Sequence, residues 1–301
     1  MTAFGGIWSE TKLKCVEDYT KTYLQVMQAQ LWCSLHYVDG FAGSGTQHLP
    51  DSPANGMAGF FDDDELAGTR EFLDGSAIRA LRASEGASRG FDQHIFIERG
   101  KKTCASLKER VAVDHPRLLP ASQFLCGDAN ELLCKYVEEQ NWAATRSLVF
   151  LDPYGTEVSW GTVAALAATQ ACDVWYLFPL GGVMRLLTNS GDIPDSWADR
   201  LTSSLGTDEW RTEFYQTTKT LTLFDGYEQS VHRDASTDHV VDYVRGRLQT
   251  LFPAVAKPAV LRNSKGAPLF ALFLCVANPS EKARAAALGI ANHLTKGLTL
   301  A

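Results

Sequence analysis

The 301-residue chain lacks the patterns that mark several common kinds of site. Its seven cysteines form no Cys-x-x-Cys pair, which argues against a disulfide scaffold and a four-cysteine zinc site. None of its seven histidines stands in a His-Glu-x-x-His motif, so the sequence predicts no bound metal. No run approaches the roughly 18 apolar residues of a membrane span, and the N-terminus has no apolar signal core. These absences favour a cytoplasmic protein in a reducing compartment.

Positive charge is also scarce, because 28 Lys and Arg stand against 35 Asp and Glu, giving a net charge of −7. This balance argues against a broad nucleic-acid-binding surface, which is normally basic, but it allows a small cleft for a nucleic-acid end or loop. Apolar residues make up 45% and charged residues 21% of the chain, as in ordinary folded globular proteins.

Short apolar runs alternate with stretches of helical periodicity along most of the chain. The runs are Leu35–Asp39, His94–Glu98, Gln123–Cys126, Ser147–Asp152 and Asp173–Phe178. Helices are predicted at 9–31 with Ser9 as N-cap, and near 76–84, 100–112, 129–140, 160–170, 237–251 and 280–296. This alternation predicts an α/β fold, with a mostly parallel sheet covered by helices on both faces.

The last strands break that rhythm. Ala259–Arg262 and Leu269–Ala277 are separated by only six residues, too few for a crossover, so we predict an antiparallel pair. We interpret residues 1–301 as a single domain with two insertions. One is a loop at 46–75, and the other is a helical and irregular segment at 181–236, with short helices at Trp197–Leu205 and Glu209–Thr217.

The first predicted strand runs into a glycine loop. The loop residues are Gly40, Phe41, Ala42, Gly43, Ser44 and Gly45, directly after Asp39. Glycines let a backbone approach a ligand closely, as in nucleotide-binding loops. The spacing is not Gly-x-Gly-x-x-Gly, because His48 stands where the third glycine would fall, and this weakens a pyrophosphate-binding interpretation. An ordinary glycine-rich turn is the alternative.

Acidic residues also end the next two strands. Glu98 can accept hydrogen bonds from both ribose hydroxyls, and Asp128 can accept one from an adenine amino group. Because parallel strands end on the same edge, Asp39, Glu98 and Asp128 suit an adenosine-bearing ligand without a phosphate chain. Each acid taken alone is a weak signal, because an Asp or Glu at a strand end is more often a helix N-cap or a solvated side chain.

The fourth strand leads into Asp152, Pro153, Tyr154 and Gly155. A type I turn favours Asp, Pro and Gly at these positions, which is the structural alternative. The functional hypothesis is that a carboxylate and a backbone carbonyl accept both N–H bonds of an exocyclic amine on a base. The ring of Tyr154 would stack on that base, and the fixed φ of Pro153 would hold the carbonyl in place.

These motifs resemble those of class I S-adenosylmethionine-dependent methyltransferases. Asp-Gly-Phe-Ala-Gly-Ser-Gly at 39–45 is similar to their cofactor loop, and Asp-Pro-Tyr-Gly at 152–155 is similar to the acceptor motif of amino-methyltransferases. The strand pair at 259–277 is similar to the reversed seventh strand of that fold. The resemblance implies a Rossmann-like domain with a seven-stranded, mostly parallel sheet and a C-terminal antiparallel hairpin strand.

The chain most resembles the three-Cys-motif partner (TcmP) family within that fold. The ordered matches are Trp8…Lys12-Leu13…Tyr19, 37–43, Gly75-Ser76…Ala80-Leu81, 96–98, Gly127-Asp128, 150–155, 177–179, Leu205-Gly206…Trp210 and Leu272-Phe273…Asn278-Pro279. The resemblance implies S-adenosyl-L-methionine as cofactor and a three-Cys-motif radical-S-adenosylmethionine-type protein as partner. The implied cofactor-binding residues are Lys12, Asp39, Gly40, Phe41, Ala42, Gly43, Ser44, Gly45, Glu98, Asp128 and Ala129. A solvated position on a helix face is the alternative for Lys12.

Three functions follow as hypotheses. The first is transfer of a methyl group to an exocyclic amine of a nucleobase in RNA or DNA, catalysed by Asp152, Pro153, Tyr154 and Gly155. The second is methylation of a partner protein or a small molecule, which the net charge of −7 favours. The third is a non-catalytic subunit that binds S-adenosylmethionine, in which the segment at 46–74 has displaced a substrate.

Overall fold

A five-stranded parallel sheet forms the centre of the computed structural model, which describes residues 6–45, 75–222, 226–263 and 265–296. Its strands are β1 (Ser34–Asp39), β2 (Gln93–Glu98), β3 (Ser122–Cys126), β4 (Thr145–Leu151) and β5 (Cys172–Phe178). They lie in the order β3-β2-β1-β4-β5. The order reverses at β1, whose two neighbours β2 and β4 both run parallel to it. In such sheets ligands bind outside the carboxyl ends of the strands at this reversal.

The far side of β5 carries the reversed strand that the sequence predicts. Strand β10 (Pro268–Val276) pairs antiparallel with β5. Its other edge pairs with two short strands, β8 (Ala254–Val255) and β9 (Ala259–Arg262). The predicted α/β fold, with a mostly parallel sheet and a reversed strand near its C-terminus, is therefore confirmed, but the sheet has eight strands where we predicted seven. Pro258, which has no backbone N–H to donate, lies between β8 and β9 and separates them.

Helices cover both faces of this sheet. On one face lie α1 (Gly6–Met27), α2 (Ser76–Glu85), α3 (Lys101–Asp114) and α10 (Glu281–Thr295). On the other lie α4 (Ala129–Glu139), α5 (Trp160–Ala168), α6 (Leu180–Leu186), α7 (Asp195–Leu205) and α9 (Thr237–Gln249). Alternate strand residues face the two layers; Val38 packs with one helix layer and Tyr37 with the other. The result is two apolar cores, one on each side of the sheet.

The predicted bounds are close to the observed ones, with two corrections. Helix α1 begins at Gly6, so Ser9 is an interior residue and not the N-cap. The same helix ends at Met27 and not at residue 31, and the Gln30 N–H then donates to the Met27 carbonyl. Residues 46–74 lie outside the described residues, so the predicted loop at 46–75 is described only at Gly75. That residues 1–301 form one domain stays a prediction.

The segment between β5 and α9 contains a hairpin that the sequence analysis did not predict. After the short helix α8 (Trp210–Glu213), strands β6 (Tyr215–Thr222) and β7 (Gly226–Arg233) pair antiparallel as a separate two-stranded sheet. The predicted helix at Glu209–Thr217 is therefore wrong beyond Glu213. The threonines from 217 to 222 explain the difference, because β-branched residues favour strands over helices.

Among the described helices, none has both the length and the apolar composition to span a membrane.

Candidate functional site

The glycine loop after β1 is fastened by its backbone to the two neighbouring strands. The Gly40 N–H donates to the Phe150 carbonyl on β4 (2.9 Å), and the Ala42 N–H donates to the Ile97 carbonyl on β2 (2.9 Å). The loop turns at Gly43 with φ +63°, a conformation that side chains disfavour. Among the described residues no atom lies within 4 Å of where a Cβ on Gly43 would stand. At Gly43 the loop backbone therefore faces open space among the described residues, at the reversal point of the sheet.

The second half of the loop contacts the helices beneath it. Gly45 has φ +71°, and its carbonyl accepts hydrogen bonds from the Gly75 N–H (3.4 Å) and from the Arg110 guanidinium. A Cβ on Gly45 would lie 2.8 Å from Leu107, so this position requires glycine on both conformational and steric grounds. The half-buried Phe41 packs against the core on the α4 side of the sheet, and Ser44 is half-buried.

Glu98, at the carboxyl end of β2, lies directly against this loop. Its Oε2 accepts the Gly43 N–H (3.1 Å), and its Oε1 accepts the Gly100 N–H (2.8 Å). The carboxylate is half-buried, so it remains within reach of a ligand in the loop. The structure thus brings together the acid and the glycine that the sequence assigns to one cofactor.

Asp39, at the end of β1, is fully buried below the loop. Its Oδ1 accepts the Phe41 N–H (3.1 Å) and its Oδ2 accepts the Ser76 hydroxyl (2.5 Å). Burial raises the pKa of Asp39 to about 7, against the opposing effect of these two hydrogen bonds. The negative charges of Asp152 and Glu98 contribute to this rise, so the three acids interact electrostatically.

Asp128 acts as the N-cap of α4, the alternative that the sequence analysis left open. Its Oδ1 accepts the Asn130 N–H (2.9 Å) and the Glu131 N–H (3.3 Å). The Gly127 N–H before it donates to the Glu98 carbonyl (3.1 Å), which places Asp128 beside the end of β2. Ala129 is buried. Because both capping bonds use Oδ1, an adenine amino group would have to meet Oδ2, and this role stays a prediction.

Asp152 follows β4 and forms an ion pair with Lys12 of α1. The Lys12 Nζ lies 2.6 Å from the Asp152 Oδ2, and the two side chains are 7% and 22% exposed. The same ammonium lies 5.9 Å from the centre of the Phe270 ring on β10. Lys12 is therefore not a solvated residue on a helix face. It joins the first helix to the Asp152–Gly155 motif, across 140 residues of sequence.

Tyr154 presents its ring to solvent, while Pro153 and Gly155 on either side are buried. The side chain is 55% exposed, which is unusual for an aromatic residue so close to a buried strand. Partial burial raises the pKa of Tyr154 to about 12, and the charges of Glu98, Asp152 and Glu157 contribute to the same rise. An open ring surrounded by carboxylates can serve as a stacking platform at the mouth of the site.

The site is strongly acidic. Among the described residues, five carboxylates lie within electrostatic reach of one another or of Tyr154: Asp39, Glu98, Asp128, Asp152 and Glu157. The cations described beside them are Lys12, Arg99 and Arg110, the last of which donates to the Gly45 carbonyl. Such a cluster disfavours a phosphate-bearing cofactor by charge repulsion and favours a ligand with a positive centre.

Two polar residues of this site were missed in the sequence analysis as functional residues. Ser76 begins α2 and donates to Asp39, and Asn130 begins α4 and bonds through its side chain to residues 157, 159 and 162. Both are small polar residues in the first turn of a helix that follows a strand-end motif. That position is the signal that could have indicated them.

A separate groove of about 610 Å³ lies between α3 and the edge strand β3. It is lined by Lys101, Cys104, Ala105, Lys108, Leu119, Ser122, Phe124 and Cys126. None of the carboxylates or glycines described above lines this groove. We therefore distinguish it from the candidate site, which lies at the strand ends and the glycine loop.

Comparisons with known proteins give loose structural likenesses. No protein-family model and no curated protein sequence matches the chain. Protein LPL1258 from Legionella pneumophila, of the family DUF519, has 12% identity and a TM-score of 0.42, over 98% of this chain and 94% of its own. A conserved hypothetical protein from Streptococcus pyogenes has 15% identity and a TM-score of 0.29, over 70% and 94%. A protein from Escherichia coli that is provisionally assigned as a methyltransferase has 12% identity and a TM-score of 0.28, over 72% and 86%. The resemblance to the three-Cys-motif partner family stays a prediction.

Proposed function

We propose that this chain is an S-adenosylmethionine-dependent methyltransferase that acts on an exocyclic amine of a nucleobase in RNA or DNA. One observation carries the proposal. The Asp152 carboxylate and the exposed Tyr154 ring follow β4 on the same sheet edge where Glu98 meets the open backbone of Gly43. A donor site and an acceptor site are then neighbours at the reversal point of the sheet.

The chain's residues fit this cofactor. The open space at Gly43 leaves room for the methionine part, Asp39 is a buried carboxyl whose ionised form suits its ammonium group, and Glu98 can accept the ribose hydroxyls. When bound, S-adenosylmethionine supplies an electrophilic methyl group on a positively charged sulfur. The acidic surroundings of Tyr154 favour that charge, whereas they would oppose the pyrophosphate of a dinucleotide.

Asp152 and Tyr154 have distinct roles in the acceptor site. Lys12 holds the Oδ2 of Asp152 at 2.6 Å, which orients the carboxylate so that Oδ1 can accept an N–H of the base. The Asp152 charge then stabilises the positive charge that develops on the amine nitrogen. The Tyr154 ring stacks on a base that has left its helix, and the buried Pro153 fixes the intervening backbone.

The proposal is tested by incubating the purified protein with S-adenosylmethionine labelled in its methyl group and with total cellular RNA or DNA. We expect label in a methylated nucleoside, identified by mass spectrometry after digestion. Asp152→Ala should reduce the rate about 100-fold or more, because it removes a positioned charge from the transition state. The matched control is Asp199→Ala, which changes an exposed aspartate on α7.

Two other functions remain as outcomes of this experiment. The net charge of −7 and the carboxylates of the site favour an acceptor without phosphates, so label in protein alone would indicate methylation of a partner. A three-Cys-motif radical-S-adenosylmethionine-type protein in the cytoplasm is the partner that we propose for co-expression. Cofactor binding without transfer to any acceptor would instead indicate a non-catalytic subunit.

A further inference from the structure

The side chain of Asn130 joins the two loops that form the candidate site. Its Nδ2 donates to the Glu157 carbonyl (2.8 Å), while its Oδ1 accepts the Ser159 N–H (2.9 Å) and the Thr162 hydroxyl (2.7 Å). These partners lie 27 to 32 residues later in the chain, after the Asp152–Gly155 motif. A half-buried side chain of the α4 N-terminus thus fastens the segment that leads from that motif into α5.

The orientation of the amide is fixed by its partners. A backbone N–H must face the oxygen and a backbone carbonyl must face the nitrogen, so a flipped amide would place like groups together. Only an asparagine combines the donor, the double acceptor and the short length at this position. Aspartate retains the acceptor but has no donor for the Glu157 carbonyl, and alanine has neither.

The fastened segment sets the position of Tyr154 but not that of Asp152. Glu157, whose carbonyl Asn130 holds, lies three residues after Tyr154, and its negative charge contributes to the raised pKa of Tyr154. Asp152 is held separately, by the end of β4 and by Lys12 at 2.6 Å. The start of α5 is also held separately, because the Ser159 hydroxyl accepts the Thr162 N–H (3.2 Å). Loss of the Asn130 amide should therefore release the turn at 154–158 and leave the rest of the site in place.

We infer that Asn130 is a positioning residue for the acceptor, which sets the position of the Tyr154 ring through its hydrogen bond to Glu157. The inference rests on the proposed function and deepens it. Asn130 touches neither the cofactor residues nor Asp152 through its side chain, so its effect should fall on acceptor binding. Stacking on Tyr154 stabilises the bound substrate and the transition state equally. Loss of this stacking should therefore raise KM and leave kcat nearly unchanged.

The variants are Asn130→Ala, Asn130→Asp, Tyr154→Ala and the double variant Asn130→Ala/Tyr154→Ala. The matched control is Thr162→Val, which removes one partner of the same amide oxygen but leaves the Glu157 bond intact. Each protein is compared in three measurements. These are hydrogen exchange of the backbone amides, calorimetric binding of S-adenosylhomocysteine, and methyl-transfer kinetics on the RNA or DNA fraction that the wild-type protein labels.

Asn130→Ala and Asn130→Asp should accelerate hydrogen exchange at residues 154–158, while Thr162→Val should not. Affinity for S-adenosylhomocysteine should stay within about twofold of wild type in Asn130→Ala, Asn130→Asp and Thr162→Val. The KM for the nucleic acid should rise about tenfold in Asn130→Ala, with kcat changed by less than about threefold. The double variant should have the KM of Tyr154→Ala, because both substitutions remove the same stacking contact.

Two results would overturn the inference. One is an unchanged KM in Asn130→Ala alongside faster exchange at 154–158, which would make the amide purely structural. The other is a KM in the double variant that is the product of the two single effects, which would separate Asn130 from Tyr154. If the wild-type protein labels no nucleic acid, the proposed function fails. The exchange data then decide alone whether Asn130 orders the Tyr154 turn.

Discussion

Cofactor affinity should depend on pH through Asp39. This carboxyl is fully buried at the end of β1, and burial raises its pKa to about 7. It is therefore mostly protonated at pH 6 and mostly ionised at pH 8. In the proposed function, the ammonium group of the cofactor's methionine part pairs with the ionised form of this carboxyl. S-Adenosylhomocysteine retains this ammonium group, so it can report the effect without any methyl transfer.

The size of the effect follows from the titration. The ionised fraction of a group with a pKa of about 7 rises roughly tenfold between pH 6 and pH 8, which corresponds to about 1.4 kcal/mol of binding free energy. Affinity for S-adenosylhomocysteine should therefore fall about tenfold as the pH is lowered from 8 to 6. Because the bound ammonium stabilises the ionised carboxyl, binding near pH 7 should also release protons into the buffer.

Isothermal titration calorimetry at pH 6, 7 and 8, in buffers of different ionisation enthalpy, measures both quantities. Asp39→Asn should weaken binding and remove the pH dependence, while its amide oxygen can still accept a hydrogen bond from Phe41 or Ser76. Asp173→Asn is the matched control, since Asp173 has a pKa raised by burial to about 6 but lies at the start of β5, the opposite end from the site. A pH-independent affinity in wild type, or an unchanged slope in Asp39→Asn, would refute the reasoning.

Three further predictions concern stability. Lys12→Met should lower the free energy of unfolding, measured in urea, by about 1–3 kcal/mol, because it leaves a largely buried Asp152 carboxylate without its cation. The double variant Lys12→Met/Asp152→Asn should lose less free energy of unfolding than the two single variants lose in sum. Burial lowers the pKa of His94 to about 4, so its folded-state pKa is below the unfolded one. The contribution of neutral His94 to the free energy of unfolding should therefore be fully present above pH 6.5. It should fall by roughly 3 kcal/mol towards pH 4, and His94→Leu should remove this loss. Gly206→Ala should cost at least about 2 kcal/mol, because Gly206 has φ +72° and a Cβ would lie 2.1 Å from the Trp160 ring.

Each of these predictions has an internal control. Gly246→Ala on α9 meets no described atom within 4 Å and should stabilise the protein by about 0.5–1 kcal/mol. The His94 effect is measured as the difference between variant and wild type at each pH, because Asp39 acts with the opposite sign. Because the pKa of Asp39 is raised in the folded state, Asp39 stabilises the folded protein as the pH falls from 7 towards 4. Additive effects at Lys12 and Asp152 would contradict a coupled pair.

Sequence reasoning located the sheet edge correctly because the strands are buried on both faces. Such strands are continuous apolar runs, and each of the five predicted runs falls within two residues of an observed strand. The acids that follow the runs then share one edge by topology alone. The split between β8 and β9 was missed because strands of two and four residues carry too little pattern for recognition.

The features that were missed depend on contacts far apart in sequence or on surfaces without a core. Lys12 pairs with a residue 140 positions later, and the partners of Asn130 are 27 to 32 positions later. No local spacing reveals such pairs. The β6–β7 hairpin is exposed on both faces at residues 216–219 and 229–232, and only Tyr215 and Arg233, at its base, are half-buried among the hairpin residues whose burial is described. It therefore has no alternation of apolar and polar residues by which a strand is recognised.

The central claim is that donor and acceptor share one pocket at the reversal point of the sheet. A crystal structure with S-adenosylhomocysteine bound tests this claim most directly. We predict the ribose hydroxyls within hydrogen-bond distance of Glu98 and the sulfur facing the Asp152 carboxylate and the Tyr154 ring. A ligand bound elsewhere, for example in the groove between α3 and β3, would contradict the account.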